Sequence, residues 1–125
     1  MLKVPVIIRH PRPDESLTPL WPSLEKYGWN LDGIWVAEHE GAIVGGVIVW
    51  DAGHDIVRVD NLHVIEDYRT RGVAYVLLDA VVKTLHDKGR RVILSTTQDI
   101  RMAYWAQKKG AAVGVAAHLI WWEIA

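Results

Sequence analysis

The sequence predicts an α/β domain on a mixed sheet, with elements in the order β, short α, βββ, α, β, α and a final β segment of two strands. Three observations predict it. Runs rich in β-branched residues fall at 4–9, 34–38, 42–50, 56–64 and 92–96. After Gly72 the apolar residues Val73, Val76, Leu77, Ala80, Val81 and Leu85 follow the i, i+3, i+4 spacing of an amphipathic helix. Glycines and prolines stand at the joints between these stretches.

Residues 4–9 form strand one, closed by His10-Pro11-Arg12-Pro13, where proline breaks any regular element. Residues 14–29 carry Pro19 and Pro22 and hold only short helices, the better candidate opening at Pro22 and closing near Gly28. Residues 34–38 and 42–50 flank His39-Glu40-Gly41, a loop with glycine where a hairpin needs positive φ, so strands two and three pair. A turn at Ala52-Gly53-His54-Asp55 leads to strand four at 56–64. The long helix runs to about Lys88 with Gly89 as its C-cap. Strand five is 92–96; Asp99 is placed to N-cap a helix that ends before Gly110, and 112–124 supply the last β segment.

A chain of 125 residues has room for one core and little more, so residues 1–125 read as a single domain with no internal repeat. Half the residues are apolar and 23% charged, the balance of a folded globular protein. A net charge of −1 provides no basic field to gather nucleic acid. The lack of cysteine removes disulfides, thiolate metal sites and any acyl-cysteine intermediate. None of the six histidines forms an H-x-H or H-x-x-x-H pair, so no metal site is expected. No apolar run reaches the roughly 20 residues of a membrane span. The start of the chain reads as a strand and not a secretory leader, so a cytoplasmic location is expected.

The strand-turn-helix joint Leu62-His63-Val64-Ile65-Glu66-Asp67-Tyr68-Arg69-Thr70-Arg71-Gly72-Val73-Ala74 has the make-up of an anion site. Backbone N–H groups and the positive end of a helix dipole meet there, Arg69 and Arg71 add charge, and Gly72 and Ala74 let a ligand approach the backbone. This stretch, followed by Val76-Leu77-Leu78, resembles the acetyl-CoA-binding motif of the GNAT superfamily, Q/R-x-x-G-x-G/A after an L-x-V strand. The hairpin around Gly41 and the Lys108-x-Gly110 helix end are similar to the same family. Glu66 stands where the family has proline. The resemblance spans residues 34–125.

The resemblance implies a GNAT-like, mostly antiparallel central sheet flanked by helices, with parallel strands four and five splayed apart. It implies acetyl-CoA as acyl donor and transfer to an amine of a small molecule or protein. Arg69, Thr70, Arg71, Gly72, Val73 and Ala74 would then hold the pyrophosphate, and Leu62, His63 and Val64 would line the cofactor. Leu62 and Val64 offer strand-edge backbone to the pantetheine, though both also suit plain core packing. A β-bulge here would aim one N–H at the thioester oxygen.

Aminolysis of a thioester needs a base for the amine and, helpfully, an acid for the leaving sulfur. Asp60 is the first base candidate, because on a regular strand it projects from the same face as Leu62; the other reading is a solvated strand carboxylate. His63 is second, pointing to the opposite face unless a bulge intervenes. The family's usual tyrosine lies four residues before the helix-ending glycine, a position held here by Ala106. Tyr104 and Tyr75 are the remaining acid candidates. The stretch 11–33 leaves little room for the two acceptor-side helices of the family, so the pocket is open to a large acceptor or completed by a second subunit. Of the seven tryptophans, Trp21, Trp29 and Trp35 suit an acceptor groove or the core, and one of the adjacent Trp121 and Trp122 suits a homodimer contact. Two other functions fit the same residues: a module that binds acyl-CoA without turning it over, and a regulatory domain whose arginine loop holds a phosphate or nucleotide.

Overall fold

The computed structural model of the protein describes residues 4–22, 31–51, 56–90, 92–96, 100–110, 112–113 and 119–123. They fall into two compact units, Met1–Val49 with Asn61–Val81, and Trp50–Asp60 with Val82–Ala125.

The first unit is built on β1 (Ile7–Arg9), β2 (Ile34–His39), most of β3 (Ala42–Asp51) and the end of β4 (Ile56–Val64). β1 lies antiparallel to β2 with Ile8 opposite Ala37, and β2 lies antiparallel to β3 with Val36 opposite Gly46. The strand expected from residue 4 begins at Ile7 instead. Pro5 has no N–H to give a ladder, and its carbonyl oxygen is taken by His39 Nδ1 at 2.8 Å.

His39 pairs with Ala42, so the hairpin loop shrinks from the three expected residues to Glu40 and Gly41. Their φ angles of 49° and 83° are the double left-handed geometry that matches strand twist in a two-residue turn. Past the turn, Glu38 pairs with Ile43 and Ala37 with Gly45, leaving Val44 as an extra residue on β3.

Leu17, Leu20, Ile34, Val36 and Ile48 form one buried cluster, with Trp21 packed against it. Ala37, Val44, Val64 and Val73 form another. The chain after β1 is tied down by charge. The Arg9 guanidinium grips both Glu15 carboxylate oxygens at 2.7 and 2.8 Å and reaches Glu38 at 2.9 Å. The Arg12 backbone N–H adds a 2.6 Å bond to Glu15. These bonds hold the Glu15 carboxyl down at about 2 and raise the Arg9 pKa further.

In the second unit the start of β4 runs parallel to β5 (Val92–Thr96), from Ile56 opposite Val92 to Arg58 opposite Leu94. Ser95 and Thr96 pair with Ile120 and Leu119 of β7 (Leu119–Glu123). β6 (Ala112–Val113) lies antiparallel to β7. The expected two final strands are thus present, although residues 23–28 of the expected short helix and the Asp99 cap lie outside the described residues.

α1 (Val73–Asp87) buries Val73, Leu77, Val81 and Leu85 of the expected stripe, while Val76, expected on that face, is 39% exposed and Leu78, outside the expected stripe, is buried. It closes with Gly89 N–H on His86 O and Arg90 N–H on Leu85 O, the paired bonds of a Schellman end. α2 (Ile100–Lys108) ends where Gly110 N–H meets Gln107 O.

Candidate functional site

The joint between β4 and α1 is held by a series of hydrogen bonds. Ile65 N–H donates to the carbonyl of Val44, the extra residue of β3, at 3.0 Å. One 3-10 turn follows at Glu66–Tyr68, closed by Tyr68 N–H on Ile65 O and Arg69 N–H on Glu66 O. Arg69 Nε then reaches back to Val64 O at 2.8 Å, and Thr70 Oγ1 donates to Arg69 O at 2.5 Å. The arginine expected to offer charge to a ligand is therefore also the strap that holds the loop against the end of β4.

Thr70 and Gly72 both take left-handed φ, 65° and 81°. Alternating backbone hands of this kind turn successive N–H groups into one concavity that suits an anion. Val76 N–H on Gly72 O opens α1 immediately afterwards. The first turn of this 15-residue helix contains no acidic side chain, so none of its own carboxylates offsets the positive end of the dipole. Arg71 is exposed, lies 5.6 Å from the Tyr68 ring centroid and pairs with no carboxylate among the described residues. Tyr68 in turn meets the His39 ring edge-on at 5.4 Å.

The start of α1 is seated on β3. A Cβ on Gly45 would lie 3.2 Å from Val73 Cγ1 and 3.4 Å from Val64 Cγ2, so the missing side chain lets both valines close over the strand. Val73 is 2% exposed and Val64 8%, which makes core packing part of the role of both. Ala74 is half-buried beside this cluster.

β4 is interrupted at its middle. Asn61 has φ 56°, a left-handed residue inside an otherwise extended strand, at the place where a bulge was expected. Asn61 therefore breaks the regular alternation by which Asp60 and Leu62 were expected to share a face. Asp60 is half-buried, with its carboxylate 3.0 Å from Arg58 Nε. Leu62 and His63 are half-buried. Burial, and then the positive charge of Arg69, push the His63 pKa below its ordinary value. Trp21 Nε1–H ends on the Asn61 carbonyl at 2.9 Å.

The acid candidates stand apart in character. Tyr75 is 36% exposed on the first turns of α1; Tyr104 is 60% exposed on α2, with Lys108 Nζ over its ring at 4.8 Å. Ala106 is fully buried. Among the described residues no group of His, Asp or Glu side chains is arranged to hold a metal ion. No described helix is long and apolar enough to cross a membrane.

Three features escaped sequence reasoning: the Arg69 strap, the seat under Val73 and the Trp21 bond to Asn61. The one legible signal was the Gly45-Gly46 pair inside a strand, which marks close approach of another group to the backbone. Trp35, expected at an acceptor groove or in the core, lies 4.0 Å from the His10 ring, and His10 Nδ1 contacts Ile34 O at 2.8 Å. Trp29 and the side chains of Trp121 and Trp122 lie outside what is described.

Comparison with known proteins agrees with this layout. A GNAT family acetyltransferase from Elizabethkingia anophelis, solved with acetyl-CoA bound, aligns with a TM-score of 0.73 at 15% identity, covering 94% of this chain and 95% of that one. An acetyltransferase of the GNAT family from Staphylococcus aureus Mu50 aligns with a TM-score of 0.77 at 16% identity, over 97% and 100%. N-acetylglutamate synthase from Neisseria gonorrhoeae, solved with coenzyme A and N-acetyl-glutamate, gives 0.76 at 13% identity; the match covers 98% of this chain but 36% of that one. No curated protein sequence matches the chain. The acetyltransferase (GNAT) family pattern matches residues 7–110, and the chain belongs to that family.

Proposed function

We propose that the protein transfers an acetyl group from acetyl-CoA to an amine of a small molecule or protein, by direct attack in a ternary complex. The observation that carries this reading is the loop at 69–72, with left-handed Thr70 and Gly72 feeding a 15-residue helix that opens without a carboxylate. Solved relatives that hold acetyl-CoA or coenzyme A support it.

Residues 69–74 would receive the pyrophosphate through backbone N–H groups, with the Arg71 guanidinium as the available charge and Arg69 holding the loop in shape. Leu62 and Val64 would offer strand backbone to the pantetheine. When bound, acetyl-CoA supplies an activated acyl carbon whose C–S bond breaks as the C–N bond forms.

The chain must accept the amine proton. Asp60 would first have to leave Arg58, whereas burial and the Arg69 charge push the His63 pKa down, which favours the unprotonated ring that a base needs. His63 is therefore the better base, and Asp60 the second. Tyr75 and Tyr104 remain the candidates for returning a proton to sulfur.

Titration of acetyl-CoA against ATP, read by tryptophan fluorescence, tests the reading. Saturable binding of acetyl-CoA that ATP does not displace is expected. Tighter binding of ATP would turn the loop into a nucleotide or phosphate site.

A second reading is favoured by one observation. Ala106 is fully buried and has no hydroxyl, so the family's usual acid is absent from that position. A protein that binds acyl-CoA and turns it over weakly would look like this.

A further inference from the structure

Asn61 is held at φ 56°, a left-handed conformation that is costly for an L-residue and somewhat less so for asparagine. Such a conformation persists only where its surroundings over-determine it. The surroundings here come from the segment after β1. Leu17 and Leu20 are 4% and 3% exposed in the buried cluster of the first unit. Leu20 N–H and Trp21 N–H both donate to Leu17 O, at 3.0 and 2.9 Å, which fixes where the Trp21 side chain starts.

The indole then lies against bare backbone. A Cβ on Gly46 would fall 2.7 Å from Trp21 Cη2 and 2.8 Å from Leu20 Cδ1, so only glycine leaves the ring its place. From there Nε1–H reaches the Asn61 carbonyl at 2.9 Å.

The consequence follows from peptide geometry. The described chain has no cis peptide, and in a planar trans peptide the C=O of one residue and the N–H of the next point in opposite directions. A donor that fixes the Asn61 carbonyl therefore fixes the direction of the Leu62 N–H, and aims it away from Trp21.

We propose that Trp21 is a positioning residue: its indole N–H holds the Asn61 carbonyl so that the Leu62 N–H faces the acyl group to be transferred. The proposal rests on the acyl-transfer reading above. Trp21 touches no reacting atom; it acts through the 61–62 peptide plane, and Gly46 is the vacancy that admits it.

Trp21→Phe keeps an aromatic ring over Gly46 and removes the donor. Release of CoA thiol, acetyl-CoA affinity by calorimetry, and the φ-sensitive HN–Hα coupling of residue 61 by NMR are measured on parent, Trp21→Phe and Trp21→Phe/Asn61→Gly. The expected result is a roughly 10- to 100-fold fall in kcat, as for a misplaced reacting group, with acetyl-CoA affinity unchanged. Residue 61 should leave the left-handed coupling range. Asn61→Gly should restore part of the lost kcat, because glycine takes positive φ without penalty. If Trp21→Phe does not fold, replacement of Trp21 by benzothienylalanine, the same shape with sulfur for N–H, carries the test.

An unchanged kcat, or a loss confined to acetyl-CoA affinity, overturns the proposal. So does residue 61 keeping its parent coupling in Trp21→Phe. A parent protein that releases no thiol overturns the acyl-transfer reading and this role with it, while the coupling still reports separately whether the indole holds the peptide.

Discussion

Val73 Cγ1 lies 3.2 Å from the point that a Cβ on Gly45 would occupy, and the His63 carbonyl oxygen lies 3.3 Å from the same point. The first residue of α1 is thus seated on the bare backbone of β3, and the preceding loop at 69–72 inherits its position from that seat. Gly45→Val is expected to cost about 1–3 kcal/mol through overpacking and to weaken acetyl-CoA binding at the same time. Thermal denaturation and calorimetry on one sample check the pairing. Lost stability with unchanged affinity would detach the seat from the site.

Gly72→Val asks more of the loop than of the fold. Its φ of 81° strains any L side chain, and a β-branched one also blocks approach to the loop backbone. The strain alone is about 1–3 kcal/mol. Acetyl-CoA binding is expected to vanish in calorimetry while the circular dichroism spectrum keeps its shape. Binding at parental strength would move the anion site elsewhere.

Acid should loosen the segment after β1 in a defined window. The Glu15 carboxyl is held down from its ordinary 4.5 to about 2 by Arg9, with a further bond from the Arg12 N–H. A depressed carboxyl contributes stability above its unfolded value, and that contribution is lost as pH falls from 4.5 towards 2. Glu15→Gln should lose it at neutral pH and show a flatter decline below 4.5. Urea midpoints measured from pH 7 to 2.5 decide this, and parallel curves for mutant and parent would contradict it.

His63 titrates with the opposite chemistry and the same direction of loss. Its folded pKa lies below 6.5, so the unfolded chain takes up a proton first and stability falls as pH drops from 6.5 towards the folded value. His63→Gln is expected to lower thiol release by roughly 10²- to 10⁴-fold with little change in acetyl-CoA affinity. Asp60→Asn should cost less. If Asp60→Asn gives the larger loss, the ion pair to Arg58 opens during turnover and Asp60 is the base.

Ala106→Tyr, which would restore the family's usual residue, meets a position with no exposure at all. Overpacking of about 1–3 kcal/mol is expected, with no gain in turnover. Faster thiol release in a stably folded variant would show that a proton donor can be built there.

The sequence carried the elements whose signals are local. β4 and β5 fall on the residues that their β-branched runs mark, and α1 closes at the glycine that its pattern requires. The strand-turn-helix motif around Gly72 was legible for the same reason: spacing, charge and a permissive residue lie within a few positions. What stayed hidden depends on partners far along the chain. Trp21 and Asn61 are 40 residues apart, and nothing in either neighbourhood announces the bond. Arg69 reads as a ligand for phosphate in sequence and becomes a strap only once Val64 O is beside it. Nor does the sequence announce the left-handed Asn61, which resets the side-chain alternation between Asp60 and Leu62.

Whether this chain moves an acyl group from acetyl-CoA to an amine is measured directly by thiol release. The chain has no cysteine, so every thiol detected comes from CoA. Parent protein and Gly72→Val are each given acetyl-CoA with and without a panel of small amines and peptides bearing free amino groups. The expected result is release that depends on an amine, appears in the parent and is absent from Gly72→Val. Acetyl-CoA binding without amine-dependent release across the panel would contradict transfer and leave an acyl-CoA-binding module in its place.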